Sequence, residues 1–361
     1  MSGPADRASL RVALIGYGEA GVILHGPLVS ATDGLRLAAI VSADADRRRA
    51  ARAAFPDAAI LDDVHEVWRG DFDVAVVATP PASHATLAGT AIEAGLATVV
   101  DKPFAISSTE GARLVTAASS AGVPLTVFQN RRWDSDFLTL RRVLDRGLVG
   151  RPIRLEARFE VARPVRPGTW SDSPDPSDGG GVLLDFGSHR IDQAIQLFGS
   201  PRTVSAEIRH ARPGSPVDDD VFLSLGFADE ATVHIWLSRA VHAPGPSFRL
   251  LRTEAAFEIG GSDPQWAALA GGGRPGGPGW GRHRAMGRLI RDTEPGEGTR
   301  RIRASAGAWD RFYPRMRDAA LGLGPVPVDP ADAVEVLRVI EAARTSAASG
   351  RTITFETSAP S

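Results

Sequence analysis

Residues 11–21 read RVALIGYGEAG, a short apolar run followed directly by a glycine-rich turn. The turn has the pattern GxGxxG, and a helical segment follows it. Such glycines permit a tight turn and a close approach of a ligand to the backbone, while the first N–H groups of the helix attract phosphate. The pattern alone occurs by chance in a chain with 38 glycines, but here it stands between a strand and a helix. The stretch predicts a dinucleotide-binding unit with contacts at Gly16, Gly18, Glu19, Ala20 and Gly21. The alternative is a glycine turn with only a structural role.

Apolar runs alternate with helical stretches through the first third of the chain. The runs are nearly continuous in Val, Ile, Leu and Ala, as in parallel strands covered on both faces. Strand–helix alternation of this kind predicts a doubly wound parallel Rossmann sheet, in an α/β domain over residues 1–128. The predicted strands are 11–15, 36–41, 58–61, 72–78, 98–100 and 124–128, and the predicted helices are 47–55, 84–94 and 108–121. Ser107 or Ser108 is a suitable N-cap for the last helix.

The pattern changes near residue 150, where apolar and polar residues begin to alternate strictly over 153–161, 221–227 and 231–237. Such alternation is typical of antiparallel strands with one apolar and one polar face. Residues 129–361 are therefore predicted to form an α+β domain with an open, mostly antiparallel sheet and a helix over 183–198 on its apolar face. The other face carries Trp236 among complementary charges, which predicts a homodimer or homotetramer formed through this sheet. A late helix over 331–346, a last strand over 352–355 and two loops over 164–181 and 260–281 complete the interpretation.

The residue just past the second strand selects between the two nicotinamide dinucleotides. An acidic side chain there would bind the adenosine ribose and repel a 2′-phosphate. The position falls at Ser42, which is uncharged, and Arg47 to Arg49 follow closely. This arrangement favours NADP(H) over NAD(H). Asp44 is the alternative ribose ligand, if the second strand ends later than predicted.

Polar residues follow the later strands of the predicted parallel sheet, where such sheets bind ligands. Thr79 and Pro80 follow the fourth strand, and Lys102 follows the fifth. Lys102 is the single lysine among 41 cationic residues. An arginine neither presents a compact ammonium group nor loses its proton near neutral pH, so a lone lysine at this edge is a candidate for a chemical role. Its alternative is a lysine that survived by chance.

The second domain contains the run GGGVLLDFGSHRID over residues 179–192. If the helix begins after the glycines, Asp185, His189 and Asp192 lie on one face. A carboxylate beside an imidazole suits acid–base work. The alternatives are an N-cap role for Asp185 and a solvated His189. A metal site is not predicted, since no second histidine cluster accompanies this one.

The bulk composition excludes several classes of protein. Formal net charge is −2 with acids and bases spread along the chain, which argues against nucleic-acid or membrane partners. The absence of cysteine excludes disulfides, thiolate metal sites and a cysteine nucleophile. The first ten residues do not resemble a signal peptide, so a cytoplasmic protein is expected.

In combination these motifs resemble the family of glucose–fructose oxidoreductase and inositol dehydrogenase, the Gfo/Idh/MocA family. The likeness covers essentially the whole chain. Residues 128–134 and 193–199 are most similar to its NADP-preferring scyllo-inositol 2-dehydrogenase branch, although Ala43 and Pro81 replace the arginine and asparagine usual there. The motifs that carry it are the glycine turn 16–21, His25-Gly26-Pro27, Ala78-Thr79-Pro80, Asp101-Lys102-Pro103 and Asp185-x-Gly187-x-His189-x-x-Asp192.

The resemblance implies hydride transfer between NADP(H) or NAD(H) and a secondary alcohol or ketone of a cyclitol, sugar or polyol. It implies that Lys102, Asp185 and His189 are catalytic, and that Ser42, Thr79, Pro80, His84 and Lys102 join the glycine turn in binding cofactor. Candidate substrate contacts are Arg131, Arg132, Trp133, Trp170, Asp185 and His189. Two alternatives on the same fold stay open: a non-catalytic regulator that senses dinucleotide, and a glycosidase that uses NAD transiently.

Overall fold

The computed structural model describes residues 9–228, 230–291 and 298–355. The chain forms two compact units. The first comprises Met1–Asn130, Pro264–Trp280 and Ala308–Val334, and the second comprises Arg131–Asp263, Gly281–Gly307 and Glu335–Ser361. The sequence-based division placed one boundary after residue 128. The chain crosses near that point but returns twice to the first unit, and in the second return the buried Phe312 packs on Phe128.

A six-stranded parallel sheet forms the centre of the first unit, as predicted. Its order is β3-β2-β1-β4-β5-β6, the order of a doubly wound dinucleotide-binding sheet. Core side chains such as Ala13, Ile15, Val41 and Val77 are almost fully buried, as expected for parallel strands. The strands are β1 Leu10–Ile15, β2 Leu35–Val41, β3 Ala59–Leu61, β4 Val74–Val77, β5 Ala97–Val100 and β6 Leu125–Val127.

Seven helices belong to the described part of the first unit: α1 Gly26–Ser30, α2 Ala45–Ala54, α3 His65–Arg69, α4 His84–Glu93, α5 Ser108–Ala121, α9 Pro264–Ala270 and α10 Phe312–Ala320. A π-helical turn, Gly21–His25, leads into α1. Ser107 caps α5 by accepting the Glu110 N–H, as predicted. Helix α9 was missed, because it lies in the glycine-rich stretch that was predicted to be a loop. It is held by Gln265, which is fully buried and accepts the Trp309 N–H at 2.7 Å.

A nine-stranded mixed sheet dominates the second unit, in the order β14-β13-β12-β11-β7-β10-β9-β8-β15. Strands β7 and β10 pair in parallel and the remaining neighbours are antiparallel. The predicted open, mostly antiparallel sheet is confirmed. The strands are β7 Pro152–Glu160, β8 Thr203–Arg209, β9 Asp220–Gly226, β10 Thr232–Ser238, β11 Phe248–Arg252, β12 Ala256–Ile259, β13 Met286–Ile290, β14 Thr299–Arg303 and β15 Ile353–Thr354.

The helix predicted over 183–198 is interrupted. It consists of α7 Val182–Asp185 and α8 Gly187–Phe198, with Phe186 between them. Both helices pack on the apolar face of the sheet, against β7, β9 and β10. The interruption places Asp185 at the end of a separate helical turn and His189 on the helix that follows it. Helix α6 Ser135–Asp145 completes the unit, and α11 Pro330–Ser349 contains the boundary at Val334.

Within the described residues, none of the helices combines the length and apolar character needed to cross a membrane. Nor do these residues contain a cluster of three or more His, Cys, Asp or Glu side chains suited to a metal ion.

Candidate active site

The glycine turn after β1 is shaped by close approaches inside the first unit. Gly16 has a φ of +102°, and a Cβ added there would lie 2.5 Å from the carbonyl oxygen of Ala78. A Cβ on Gly21 would lie 2.4 Å from the Gly16 oxygen. These two glycines are therefore required by the protein itself, because any side chain would collide with backbone.

Gly18 differs from the other two glycines of the pattern. Its φ is not positive, and among the described residues other than its two chain neighbours, the only atom within 4 Å of an added Cβ would be Arg47 Nη1, at 3.8 Å. Packing within the chain therefore does not explain the glycine. A bound group that must approach the backbone at this point does explain it, which is the part that the second glycine of such a turn plays against a pyrophosphate.

Asp44 does not replace Ser42 at the end of β2. The strand ends at Val41, as predicted, and Asp44 is the N-cap of α2, where Oδ1 accepts the N–H groups of Asp46 and Arg47. The hydrogen bond from the Arg47 N–H is the largest cause of the lowered pKa of this exposed carboxyl; desolvation opposes it, and the Asp46 N–H bond lowers the pKa further. Ser42 Oγ faces the Asp44 N–H at 3.3 Å.

The three arginines at the start of α2 have different environments. Arg48 donates to the carbonyl oxygens of Ser42 and Ala43, both at 2.8 Å, and so stabilises the turn. Arg49 is exposed and pairs with Asp46. Arg47 is the one whose guanidinium reaches towards Gly18. The sequence identified the cluster, but not which member faces the glycine turn.

His84 joins the ends of two neighbouring strands. Its Nε2 lies 2.8 Å from the carbonyl oxygen of Thr79, after β4, and its Nδ1 lies 2.8 Å from that of Pro103, after β5. The ring is buried, and burial is the main cause of its lowered pKa. Both ring nitrogens thus face backbone carbonyl oxygens. Because a neutral imidazole has one N–H group, it donates to only one of the two carbonyls at a time.

Lys102 follows β5 at the carboxyl edge of the parallel sheet, beside the buried Asp101. The Lys102 N–H donates to Asp101 Oδ1 at 2.8 Å, and His25 Nε2 lies 3.7 Å from the same oxygen. Burial alone would raise the pKa of Asp101, but His25, Lys102 and His84 outweigh it and lower the pKa. His25 is fully buried and bonded to Tyr313 Oη at 2.6 Å. The residue before the lysine is thus an ionised anchor within the first unit.

Asp185 and His189 lie on α7 and α8 of the second unit, and both are largely buried. Asp185 Oδ2 accepts a hydrogen bond from Arg239 Nη2 at 2.6 Å. The ring centres of His189 and Phe159 are 6.5 Å apart, and Phe159 stacks on Phe186 at 4.0 Å. His189 therefore lies near an aromatic pair, while Asp185 belongs to an ion-pair network. Arg239 was missed by the sequence analysis, although it directly follows the alternating strand β10.

The four predicted substrate contacts other than Asp185 and His189 differ in their burial and in their ion pairs. Arg132 donates from Nε and Nη2 to both oxygens of Asp192, and Trp133 is buried. Arg131 pairs with Asp134 at 2.9 Å, and its guanidinium lies 4.6 Å from the centre of the Phe159 ring. Trp170 is partly exposed and begins a 3₁₀ turn. Arg131 and Trp170 are therefore the more accessible of the four.

Comparison with known proteins identifies both units. Residues 10–129 match the oxidoreductase family with an NAD-binding Rossmann fold, and residues 137–258 match the GFO/IDH/MocA C-terminal domain. The chain belongs to the GFO/IDH/MocA oxidoreductase family. Membership agrees with the resemblance seen in the sequence motifs, and it makes the protein an NAD(P)-dependent oxidoreductase.

Three relatives illustrate the similarity to other GFO/IDH/MocA proteins. The uncharacterized oxidoreductase YdgJ of Escherichia coli is 33% identical over 92% of this chain and 95% of its own length. The scyllo-inositol 2-dehydrogenase (NADP(+)) IolW of Bacillus subtilis is 29% identical over 96% of each chain. The solved structure of the oxidoreductase yvaA of Bacillus subtilis has a TM-score of 0.90 and 28% identity, covering 97% of this chain and 99% of that one.

The first unit fits the dinucleotide of a GFO/IDH/MocA enzyme. The open position at Gly18 would receive the pyrophosphate, next to the backbone N–H groups that begin the helical turn. Arg47 would lie beside the adenosine end, and the carboxyl edge of β4 and β5 carries Thr79, Pro80 and Lys102. The residues present therefore suit NAD(P).

Proposed function

We propose that this protein catalyses reversible, NADP-preferring oxidation of a secondary alcohol on a cyclitol or sugar. The observation that carries the proposal is the environment of Gly18. Among the described residues beyond its chain neighbours, only Arg47 comes within 4 Å of a Cβ added to Gly18. A dinucleotide bound at this turn would therefore meet a guanidinium group. Ser42, with no negative charge, would leave room for a 2′-phosphate.

The catalytic roles are assigned to Lys102, His189 and Asp185. When bound, the cofactor supplies the hydride acceptor for the carbinol C–H bond that breaks. His189 accepts the proton of the hydroxyl group as the C–O bond becomes a carbonyl. Lys102 donates a hydrogen bond to the same oxygen and stabilises the negative charge that develops there. Asp185 supports the electrostatics of this pair.

Lys102 is suited to such a role by its charge environment. The adjacent Asp101 is buried and its pKa is lowered, so it remains a carboxylate beside the ammonium group at neutral pH. A compact ammonium can donate to an oxygen from several directions, whereas a guanidinium needs a planar partner. This reason for lysine at the position does not depend on its being the single lysine of the chain.

The proposed substrate class is a cyclitol, with sugars as the wider group. The relative IolW is a scyllo-inositol 2-dehydrogenase (NADP(+)). Arg131 and Trp170, which keep partly exposed side chains, are the proposed contacts for hydroxyl groups and for the ring face. Arg132 is proposed to act on substrate only through its ion pair with Asp192.

The outer face of the nine-stranded sheet is proposed to pair with that of a second copy. Phe222, His234 and Trp236 form an aromatic group there, with the Phe222 and Trp236 ring centres 5.2 Å apart. Arg158 stacks on Trp236 at 4.1 Å, and Glu156 accepts hydrogen bonds from Arg154 and Arg158. Rows of alternating charge around an aromatic centre are complementary to a copy of themselves, as a two-fold interface requires.

A turnover screen tests the function directly. Purified protein is incubated with NADP⁺ or NAD⁺ and with scyllo-inositol, myo-inositol and common hexoses, and the absorbance of reduced nicotinamide is followed. We expect reduction with at least one cyclitol and a higher kcat/KM with NADP⁺. Absence of reduction with every alcohol would favour a dinucleotide-sensing regulator, and cleavage of glycosides without net reduction would favour the glycosidase.

A further inference from the structure

Asp185 is one end of a buried chain of ion pairs within the second unit. Arg239 donates from Nη2 to Asp185 Oδ2 at 2.6 Å and from Nη1 to Asp172 Oδ1 at 3.2 Å. Its Nη1 also lies 3.0 Å from the carbonyl oxygen of Ser171. The Arg239 side chain is only 4% exposed. One guanidinium thus bridges the carboxylate at the end of α7 and the turn that Trp170 begins.

The series of ion pairs continues from Asp172 to a second arginine, Arg212. Arg212 donates to Asp172 Oδ1 at 2.6 Å and to Asp219 Oδ2 at 2.8 Å, and Asp219 is itself fully buried. Asp219 also accepts the N–H of Ala211. Three carboxylates therefore share two guanidinium groups. Because Asp219 and Asp172 are fixed by several donors, Arg239 has a defined position from which to hold Asp185.

Asp218, which precedes Asp219 in the sequence, fixes the backbone at the start of the helix that carries Asp185. Asp218 accepts the Leu183 N–H at 2.8 Å, at the start of α7. A Cβ on Gly181 would lie 2.1 Å from Asp218 Oδ1, which explains the glycine there. The Arg239 guanidinium also lies 5.1 Å from the ring centre of Phe186, the residue that interrupts the helix. Backbone and side chain of Asp185 are thus held from different directions.

We propose that Arg239 is a positioning residue for the reaction, which fixes the Asp185 carboxylate and the Trp170 turn in one arrangement through its planar fork. This inference rests on the catalytic role proposed for Asp185. Two different nitrogens of one rigid, planar group make the bridge, whereas a lysine would have to reach both acceptors from a single nitrogen and could not keep the same geometry. Buried bridges of this kind are costly to break, which is consistent with a device that maintains geometry.

The test is a double-mutant cycle between Arg239→Lys and Asp185→Asn, with kcat, KM and cofactor dissociation constants measured for each variant. Arg239→Lys alone should lower kcat ~10- to 100-fold, as for a displaced catalytic group. The dissociation constant of NADP⁺ should stay within twofold of the wild-type value, because the glycine turn belongs to the first unit. In the Asp185→Asn background, Arg239→Lys should change kcat by less than about threefold, since coupled residues are not additive.

Arg338→Lys is the matched control, because Arg338 is 55% exposed and pairs only with Glu335 among the described contacts. It should keep wild-type kcat. If Arg239→Lys fails to fold, Asp172→Asn replaces it, because it keeps the size of the side chain but removes the charge that fixes Arg239. It should lower kcat in the same direction.

The possible outcomes distinguish failure of the positioning role of Arg239 from failure of the proposed function. An impaired Asp185→Asn with a fully active Arg239→Lys overturns the positioning role and leaves the proposed function intact. Multiplicative losses in the double variant also overturn it, because Arg239 would then act by another route. A fully active Asp185→Asn overturns the catalytic role proposed for Asp185 and the positioning role of Arg239 with it, while alcohol oxidation by the protein would stand. A crystal structure of Arg239→Lys gives a readout without activity: the Asp185 carboxylate should change its rotamer, and an unchanged carboxylate would contradict the proposal.

Discussion

Arg132 closes a two-bond ion pair with Asp192, at 2.9 and 2.5 Å, between the segment after β6 and helix α8. The aspartate that ends the motif over residues 185–192 is therefore committed to an arginine 60 positions earlier. Bidentate pairs of this kind fix orientation as well as adding stability. The pair leaves Asp185 and His189 as the chemical candidates of the motif.

The first prediction concerns His189. His189→Ala should lower kcat by about 10²–10⁴-fold, the usual contribution of general acid–base catalysis. The affinity for NADP⁺ should change little, because the residue belongs to the second unit. Steady-state kinetics and cofactor titration check both parts. Activity within a few-fold of the wild-type value would show that His189 is not the base.

Cofactor preference is predicted to depend on Ser42 and Arg47. Arg47→Ala should lower kcat/KM for NADP⁺ by roughly 10- to 100-fold, since hydrogen bonds to charged groups contribute about 1.5–3 kcal/mol. The value for NAD⁺ should fall less, because NAD⁺ shares the pyrophosphate but lacks the 2′-phosphate. Ser42→Asp should shift preference towards NAD⁺, because a carboxylate repels the 2′-phosphate. Arg49→Ala is the control, as Arg49 pairs with Asp46 at the surface. A wild-type enzyme that favours NAD⁺ would refute this assignment.

The buried hydrogen bond between His25 and Tyr313, next to Asp101, is predicted to stabilise the folded protein. Tyr313→Phe should lower the free energy of unfolding by about 1–3 kcal/mol, because it leaves His25 Nδ1 buried without its hydroxyl partner. Denaturant unfolding monitored by circular dichroism measures the change. An unfolding midpoint equal to that of the wild type would mean that the bond contributes no net stability.

The lowered pKa of Asp101 predicts a pH dependence of known sign. A carboxylate whose folded pKa lies below its unfolded value of about 3.9 contributes stability above that value. The contribution is lost as pH falls through the folded pKa. The difference in unfolding free energy between the wild type and Asp101→Asn should therefore be constant near neutrality and shrink below pH ~4. A difference that grows on acidification would contradict the assigned charge state.

The proposed sheet-to-sheet interface is tested at Trp236. Trp236→Glu should dissociate the oligomer, because it removes the aromatic centre on which Arg158 stacks and places a charged carboxylate in the middle of the proposed interface. Light scattering after size-exclusion chromatography gives the molar mass. Leu323→Glu is the control, since Leu323 is an exposed apolar residue in the first unit. A wild-type monomer, or an unchanged oligomer of Trp236→Glu, would exclude this interface.

The local patterns of the sequence were sufficient for much of the fold. The ends of β1 and β2, the N-cap of α5 and the alternating strands β7, β9 and β10 follow from hydrophobic period and capping chemistry. The interruption at Phe186 could not be predicted, because residues 183–198 keep a helical pattern through it. Helix α9 was hidden by surrounding glycines, although Gln265 anchors it from the inside.

The candidate site was only partly accessible to sequence reasoning. The motifs supplied Lys102, Asp185 and His189, but the partner of Asp185 lies 54 positions away in the chain, at Arg239. Likewise the separate environments of Arg47, Arg48 and Arg49 depend on the path of the backbone after β2. Local sequence motifs carry no information about such pairs, because the partners are distant in the sequence.

Lys102 is proposed to act as a compact hydrogen-bond donor to the reacting oxygen. The most direct measurement is the kcat for cyclitol-dependent reduction of NADP⁺ by the wild type, Lys102→Arg and Lys102→Ala, with folding and cofactor binding checked for each. We expect Lys102→Arg to lose almost as much kcat as Lys102→Ala, because the planar guanidinium replaces a small ammonium group. A Lys102→Arg enzyme that keeps most of the wild-type kcat would contradict the proposed role.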